Sequence, residues 1–178
     1  MGTFRRRTRV VGLAALCLFG AATAAHAQPS AQMSGQALAT ANSVVLKGET
    51  TRVTLAGGAD PPGLLRKLAD VVRRSAVYLV LDDLKAAEVP SVVYEIYLGL
   101  PAGTAPKADD PHYVGTLNFF AVAPPNTGRR SRSYEVTPIA ARLSQGAPGD
   151  LSVTIVARPQ AAETSAPPSI GSVALVAQ

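Results

Sequence analysis

Residues 91–98 read Ser91-Val92-Val93-Tyr94-Glu95-Ile96-Tyr97-Leu98 (SVVYEIYL). Strand side chains alternate between two faces, so Tyr94, Ile96 and Leu98 share one side, with Val93, Glu95 and Tyr97 on the other. Leu151–Ala157 (LSVTIVA) has the same period, with Leu151, Val153 and Ile155 inward and Ser152 and Thr154 outward. Five further runs read as strands from their β-branched, aromatic and apolar content: Ser43–Leu46, Thr51–Leu55, Ala76–Leu81, Tyr113–Val122 and Ile170–Ala177. The first two flank Gly48 and read as a hairpin-like start. Gly115 marks a bend or close packing inside the Tyr113–Val122 run. About seven strands separated by turn signals predict a mainly β chain, an antiparallel β-sandwich.

Two helical pieces interrupt the strands. Pro62–Arg74 lines up Leu64, Leu65, Leu68, Val71 and Val72 on one stripe, and Asp60 before Pro61 and Pro62 offers a start signal. Thr137 with Pro138 after it caps a short turn of helix through Leu143. Pro101–Pro111, Pro124–Ser133 and Pro159–Ser169 read as loops.

Charge and composition bound the function. Of 17 Lys+Arg, four (Arg5, Arg6, Arg7 and Arg9) lie in residues 1–27, which carry none of the 12 Asp+Glu. Those arginines precede an apolar stretch, Val10–Ala25, and Ala25 and Ala27 supply the small residues of a cleavage site before Gln28. This pattern predicts a signal peptide over residues 1–27 and an exported, periplasmic or secreted protein. Residues 28–41 read as a flexible leader and residues 42–178 as one sandwich domain. Without its first 27 residues the chain is close to neutral, so it lacks the basic patch that nucleic acid requires. It also loses Cys17 and His26, which leaves His112 as the single imidazole. Disulfides, cysteine-based zinc sites and thiol catalysis are thereby excluded from the mature chain, and no membrane association is expected after signal removal.

The candidate chemistry is sparse. His112 beside Asp109 and Asp110 reads as a structural loop rather than a metal site. Asp82, Asp83 and Glu88 read as turn acids, because they lack calcium-loop spacing. No Gly-x-Ser-x-Gly elbow, phosphate loop or dinucleotide fingerprint is present. No catalytic, cofactor-binding or metal residue is therefore assigned, and a noncatalytic domain is expected.

The ordered strands also carry a resemblance. Val93-Tyr94-Glu95-Ile96-Tyr97 resembles the Lys-Phe-Asp-Val-Tyr segment of the carboxyl-terminal domain of plant polyphenol oxidases. Tyr113-Val114-Gly115-Thr116-Leu117 is similar to that domain's Phe-Ala-Gly-Ser-Phe strand. Ser133-Tyr134-Glu135-Val136-Thr137 leading to Leu151–Arg158 is similar to its short helical turn and the strand beyond, which ends in a basic residue. Together with Tyr78–Asp83 and Ile170–Val173, these segments resemble the β-domain that follows the copper domain of bacterial tyrosinase-like proteins, over residues 43–178. Such enzymes oxidise phenols at a copper pair held by six histidines of a helical bundle. The resemblance does not reach that bundle. It implies an appended domain that packs over a copper domain and shields it or helps it mature. The expected partner is a separately encoded, exported type 3 copper protein. Docking is expected through Phe119 and Phe120, one of which must leave the core because adjacent strand residues point to opposite faces, together with Tyr97 and the basic loop Arg129, Arg130 and Arg132. The competing reading is a cell-envelope or carbohydrate-binding module that displays Tyr97 and the arginine loop at its surface.

Overall fold

The computed structural model describes residues 35–58, 60–88, 90–107, 109–120, 122, 130–146, 151–158 and 166–178. The expected signal segment with Ala25, Ala27 and Gln28 lies outside them, as do Arg129 and most of the 124–133 and 159–169 loops.

The described residues form eight strands and two helices in the order β1 (Gln36–Val45), β2 (Thr50–Thr54), α1 (Pro61–Val71), β3 (Val77–Lys85), β4 (Val93–Leu98), β5 (Tyr113–Leu117), β6 (Arg132–Glu135), α2 (Thr137–Leu143), β7 (Ser152–Arg158) and β8 (Ser169–Ala177). Two antiparallel four-stranded sheets, β1-β8-β3-β6 and β2-β7-β4-β5, face each other. The expected β-sandwich is the observed architecture. Its core interdigitates Leu79, Leu81, Val173 and Leu175 of the first sheet with Tyr94, Ile96, Leu98, Val153 and Ile155 of the second, all buried.

Several expectations need correction. Residues 36–41 are not leader but the first half of β1, which pairs with β8 from Gln36↔Ala177 onward. The strands around Gly48 are not a hairpin. β1 and β2 join different sheets, and β1 meets the chain just beyond β2 through the Thr40↔Ala56 bridge. The Tyr113–Val122 strand stops at Leu117. β6 is a short edge strand whose polar sequence (RSYE) carries no apolar alternation.

α1 starts as expected: Asp60 Oδ1 accepts from Gly63 N at 3.2 Å, and Leu64, Leu65 and Leu68 are buried. Thr137 does not cap α2. Its hydroxyl accepts from Val77 N at 2.9 Å and ties the helix to β3, while Val136 occupies the cap position.

One irregularity crosses three strands. Ser43 (φ 56°) and Asp83 (φ 55°) are the described non-glycine residues with left-handed backbones. Asn42↔Ser172 and Val44↔Ile170 bracket Ser43 on one side of β8, and Asp82↔Ser172 and Leu84↔Ile170 bracket Asp83 on the other. Both residues therefore lie level with Gly171. A Cβ on Gly171 would stand 2.6 Å from Asp83 Cβ. Across this row the inward positions change parity. Leu79 and Leu81 give way to Leu84 on β3, and Val173 and Leu175 give way to Ile170 on β8. All three strands switch together, so the pairing continues without a slip.

Candidate functional site

Phe119 and Phe120 lie just beyond the end of β5. The chain turns there, with Val122 N donating to Phe119 O at 3.1 Å. Phe119 enters the core at 1 % exposure and meets the Tyr94 ring edge-to-face, with centroids 5.7 Å apart. Phe120 is 61 % exposed. One phenylalanine leaves the core as expected, although a turn separates the pair rather than strand alternation. At the other end of the same connection, Arg130 and Arg132 are exposed. Arg130 O accepts from Leu84 N at 3.0 Å, and Arg132 stands opposite Leu81 on β3. The two sheet edges are joined nearby, where Tyr134 Oη of β6 donates to Thr116 O of β5 at 2.7 Å.

Tyr97 does not belong to this surface. It is 0 % exposed and packs with Leu100, Val156 and Tyr113 on the outer face of the second sheet, beneath the 99–112 loop. Its hydroxyl donates to Glu95 Oε2 at 2.7 Å, and the Lys107 carbonyl lies 3.4 Å away. Glu95 Oε2 also accepts from Arg158 Nε at 3.1 Å. Burial, reinforced by the Glu95 bond, pushes the Tyr97 phenol up to about 12, so it is a fixed donor at neutral pH. Burial also raises Tyr94 and Tyr134. Without an exposed Tyr97 the carbohydrate-binding reading loses its aromatic platform.

The loop over Tyr97 is anchored at both ends. Gly99 (φ 70°) allows the chain to leave β4 against Leu143 of α2, where a Cβ would stand 2.5 Å from that side chain. At the far end Arg142 of α2 donates to Pro111 O. His112 completes the closure: its backbone N donates to Asp110 Oδ1 at 2.8 Å, and Nδ1 lies 2.9 Å from Leu98 O. His112 is the one imidazole among the described residues, and no group of three metal-ligating side chains gathers among them. That donor set does not fit a copper pair. Asp82 and Asp83 are also engaged locally, Asp82 Oδ1 by Asp83 N at 2.9 Å and Asp83 Oδ2 by Lys85 Nζ at 2.7 Å.

A feature the sequence reading missed lies beside this cover. An open groove of about 480 Å³ runs between the Leu100–Pro106 segment and the outward residues of β2 and β7. Arg52 stands directly opposite Thr154 in the β2–β7 register, and its Nη1 donates to Leu100 O at 2.6 Å. Thr154 is 4 % exposed, and neither its Oγ1 nor the buried Ser152 Oγ has a hydrogen-bond partner among the described residues. The outward alternation of β2 and β7 was readable. The roof over it was not, because residues 101–111 read as an ordinary turn-rich loop.

Recombinantly expressed latent aurone synthase (polyphenol oxidase), co-crystallized with hexatungstotellurate(VI) and soaked in H2O2, is similar in structure over 75 % of this chain, with 13 % identity and a TM-score of 0.44. Latent aurone synthase (polyphenol oxidase) from natural source is similar over 71 % of this chain, with 12 % identity and a TM-score of 0.47. The chain spans about a quarter of their length, 25 % and 24 % respectively. No curated protein matches it in sequence. A family model, described as Domain of unknown function (DUF7868), matches residues 30–178, and the chain belongs to that family.

Proposed function

We propose that this sandwich is a noncatalytic accessory domain that packs on a type 3 copper oxidase and shields it or assists its maturation. The observation that carries the reading is Phe120. Among described residues it is one of two large apolar side chains left exposed, the other being Val45, while the neighbouring Phe119 is locked into the core. An exposed aromatic in the turn after β5, with Arg130 and Arg132 at the far end of the same connection, has the composition of an interface anchor with a basic rim. The ordered strand resemblance from Tyr78 to Val173 supplies the partner class.

The test is binding of the purified chain to a tyrosinase-type dicopper protein from the same organism, measured by biolayer interferometry. Phe120→Ser weakens the complex at least about tenfold, as expected for loss of an aromatic anchor. The folded domain changes by less than about 0.5 kcal/mol, because Phe120 lies outside the core. Absence of binding by the unaltered chain would sink the proposal.

A further inference from the structure

We propose that the groove beside the Leu100–Pro106 cover binds a small monocarboxylate with an apolar body. This stands apart from the copper oxidase reading and uses none of the Phe120 surface.

The anchor is Arg52. A guanidinium carries its donors in a rigid fork that matches a carboxylate. One nitrogen of Arg52 is fixed by Leu100 O at 2.6 Å, which sets the fork at the junction of sheet and cover. The remaining donors have no partner among the described residues, and Arg52 forms no ion pair among them. Arg158, farther along β7, is already engaged by Glu95 at 3.1 Å. The groove therefore offers one uncommitted cation rather than two.

Leu100 and Val156 reach the groove but are buried in the small cluster around Tyr97, and Thr50, Thr104 and Thr154 also line it. The accessible apolar surface comes from Pro101, Ala105 and Pro106. A carboxylate at Arg52 would lay a short hydrocarbon body along these residues. Glu49, three residues before Arg52 or roughly 10 Å along an extended chain, also lines the groove, where its carbonyl accepts from Ala157 N and the neighbouring Arg158 is held by Glu95. The Glu49 carboxylate repels a second anion, so the pattern selects monocarboxylates over dicarboxylates. The groove volume of about 480 Å³ lies within the range of small-molecule sites.

The experiment titrates the ¹⁵N-labelled full chain with hexanoate, hexanedioate, hexanol and inorganic phosphate at matched ionic strength, following backbone amide shifts. Hexanoate is expected to move the amides of Thr50–Arg52, Leu100–Ala105 and Thr154–Arg158 saturably. Hexanedioate should bind at least about threefold more weakly, with Glu49→Gln removing that difference. Arg52→Gln should weaken hexanoate at least about fivefold while leaving shifts elsewhere in the spectrum unchanged, and Arg52→Lys should recover part of the loss. Equal response to hexanol would remove the carboxylate from the proposal. Equal response to phosphate would remove the apolar body. Either result overturns it, as does hexanoate binding that Arg52→Gln leaves intact.

Discussion

Both faces of the second sheet bury side chains along β4 and β7, but by different means. Its inner face presents Tyr94, Ile96, Leu98, Val153 and Ile155 to the opposing sheet, all within one apolar core. Its outer face is covered by a loop rather than a secondary-structure layer, and what it buries is mixed. Tyr97 and Val156 pack against Leu100, Glu95 pairs with Arg158, and the hydroxyls of Ser152 and Thr154 have no partner among the described residues. The inner face is a packed core whose worth scales with apolar area. The outer face was patterned for water and then roofed, so its polar groups either found partners, as Tyr97 did, or went without.

That contrast can be broken at graded cost. The largest effect belongs to the inner face. Ile155→Ala should cost about 3–4 kcal/mol, read as a lower urea midpoint with unchanged slope, because the cavity opens between two sheets that cannot collapse onto it. A loss below about 1 kcal/mol would show that the two faces are equivalent after all.

Tyr97→Phe should cost less, about 1–2 kcal/mol, since it keeps the ring in place and removes a hydrogen bond to a carboxylate. It also has a pH signature. The Tyr97 phenol is raised in the folded chain from 10.0 to about 12, so its contribution is complete below pH 10. The contribution is lost as pH rises from 10 toward 12, where the unfolded chain ionises first. Native protein and the variant should therefore converge in stability across that alkaline window, followed by circular dichroism. A constant difference would show that the Tyr97 phenol is not raised in the folded chain.

The smallest effect has the opposite sign. Thr154→Val should raise the thermal midpoint, with a gain of about 1 kcal/mol, because it replaces an unpartnered buried hydroxyl with a methyl group beside Val156 and Leu100. A loss of stability would mean that the hydroxyl is satisfied in solution.

The same contrast accounts for what could be read from the sequence. Period-two alternation identified the inner residues of β4 and β7 because burial between two sheets is what alternation encodes. The same logic puts Tyr97 on the outward face, and the docking and carbohydrate readings both needed it exposed there. Alternation reports which face a side chain takes, not whether a distant segment returns to cover it. The cover depends on Gly99 fitting against Leu143 and on Arg142 reaching Pro111, contacts across some 30 to 45 residues that leave no local periodicity. β6 escaped for a related reason: Arg132-Ser133-Tyr134-Glu135 sits at a sheet edge with little to bury. The Phe119–Phe120 division was legible only as a choice between two adjacent residues, and the turn at Val122 decided it.

The row formed by Ser43, Gly171 and Asp83 acts as a line dislocation in the first sheet. On either side the pleat is in opposite phase, and the line holds only while all three strands cross it together. A substitution that restores ordinary backbone geometry at Ser43 or Asp83 puts that strand out of step with the strands it pairs with. Changes at these three positions, far apart in the chain, should therefore be strongly non-additive, and the sheet inherits or loses its inward register as a single unit.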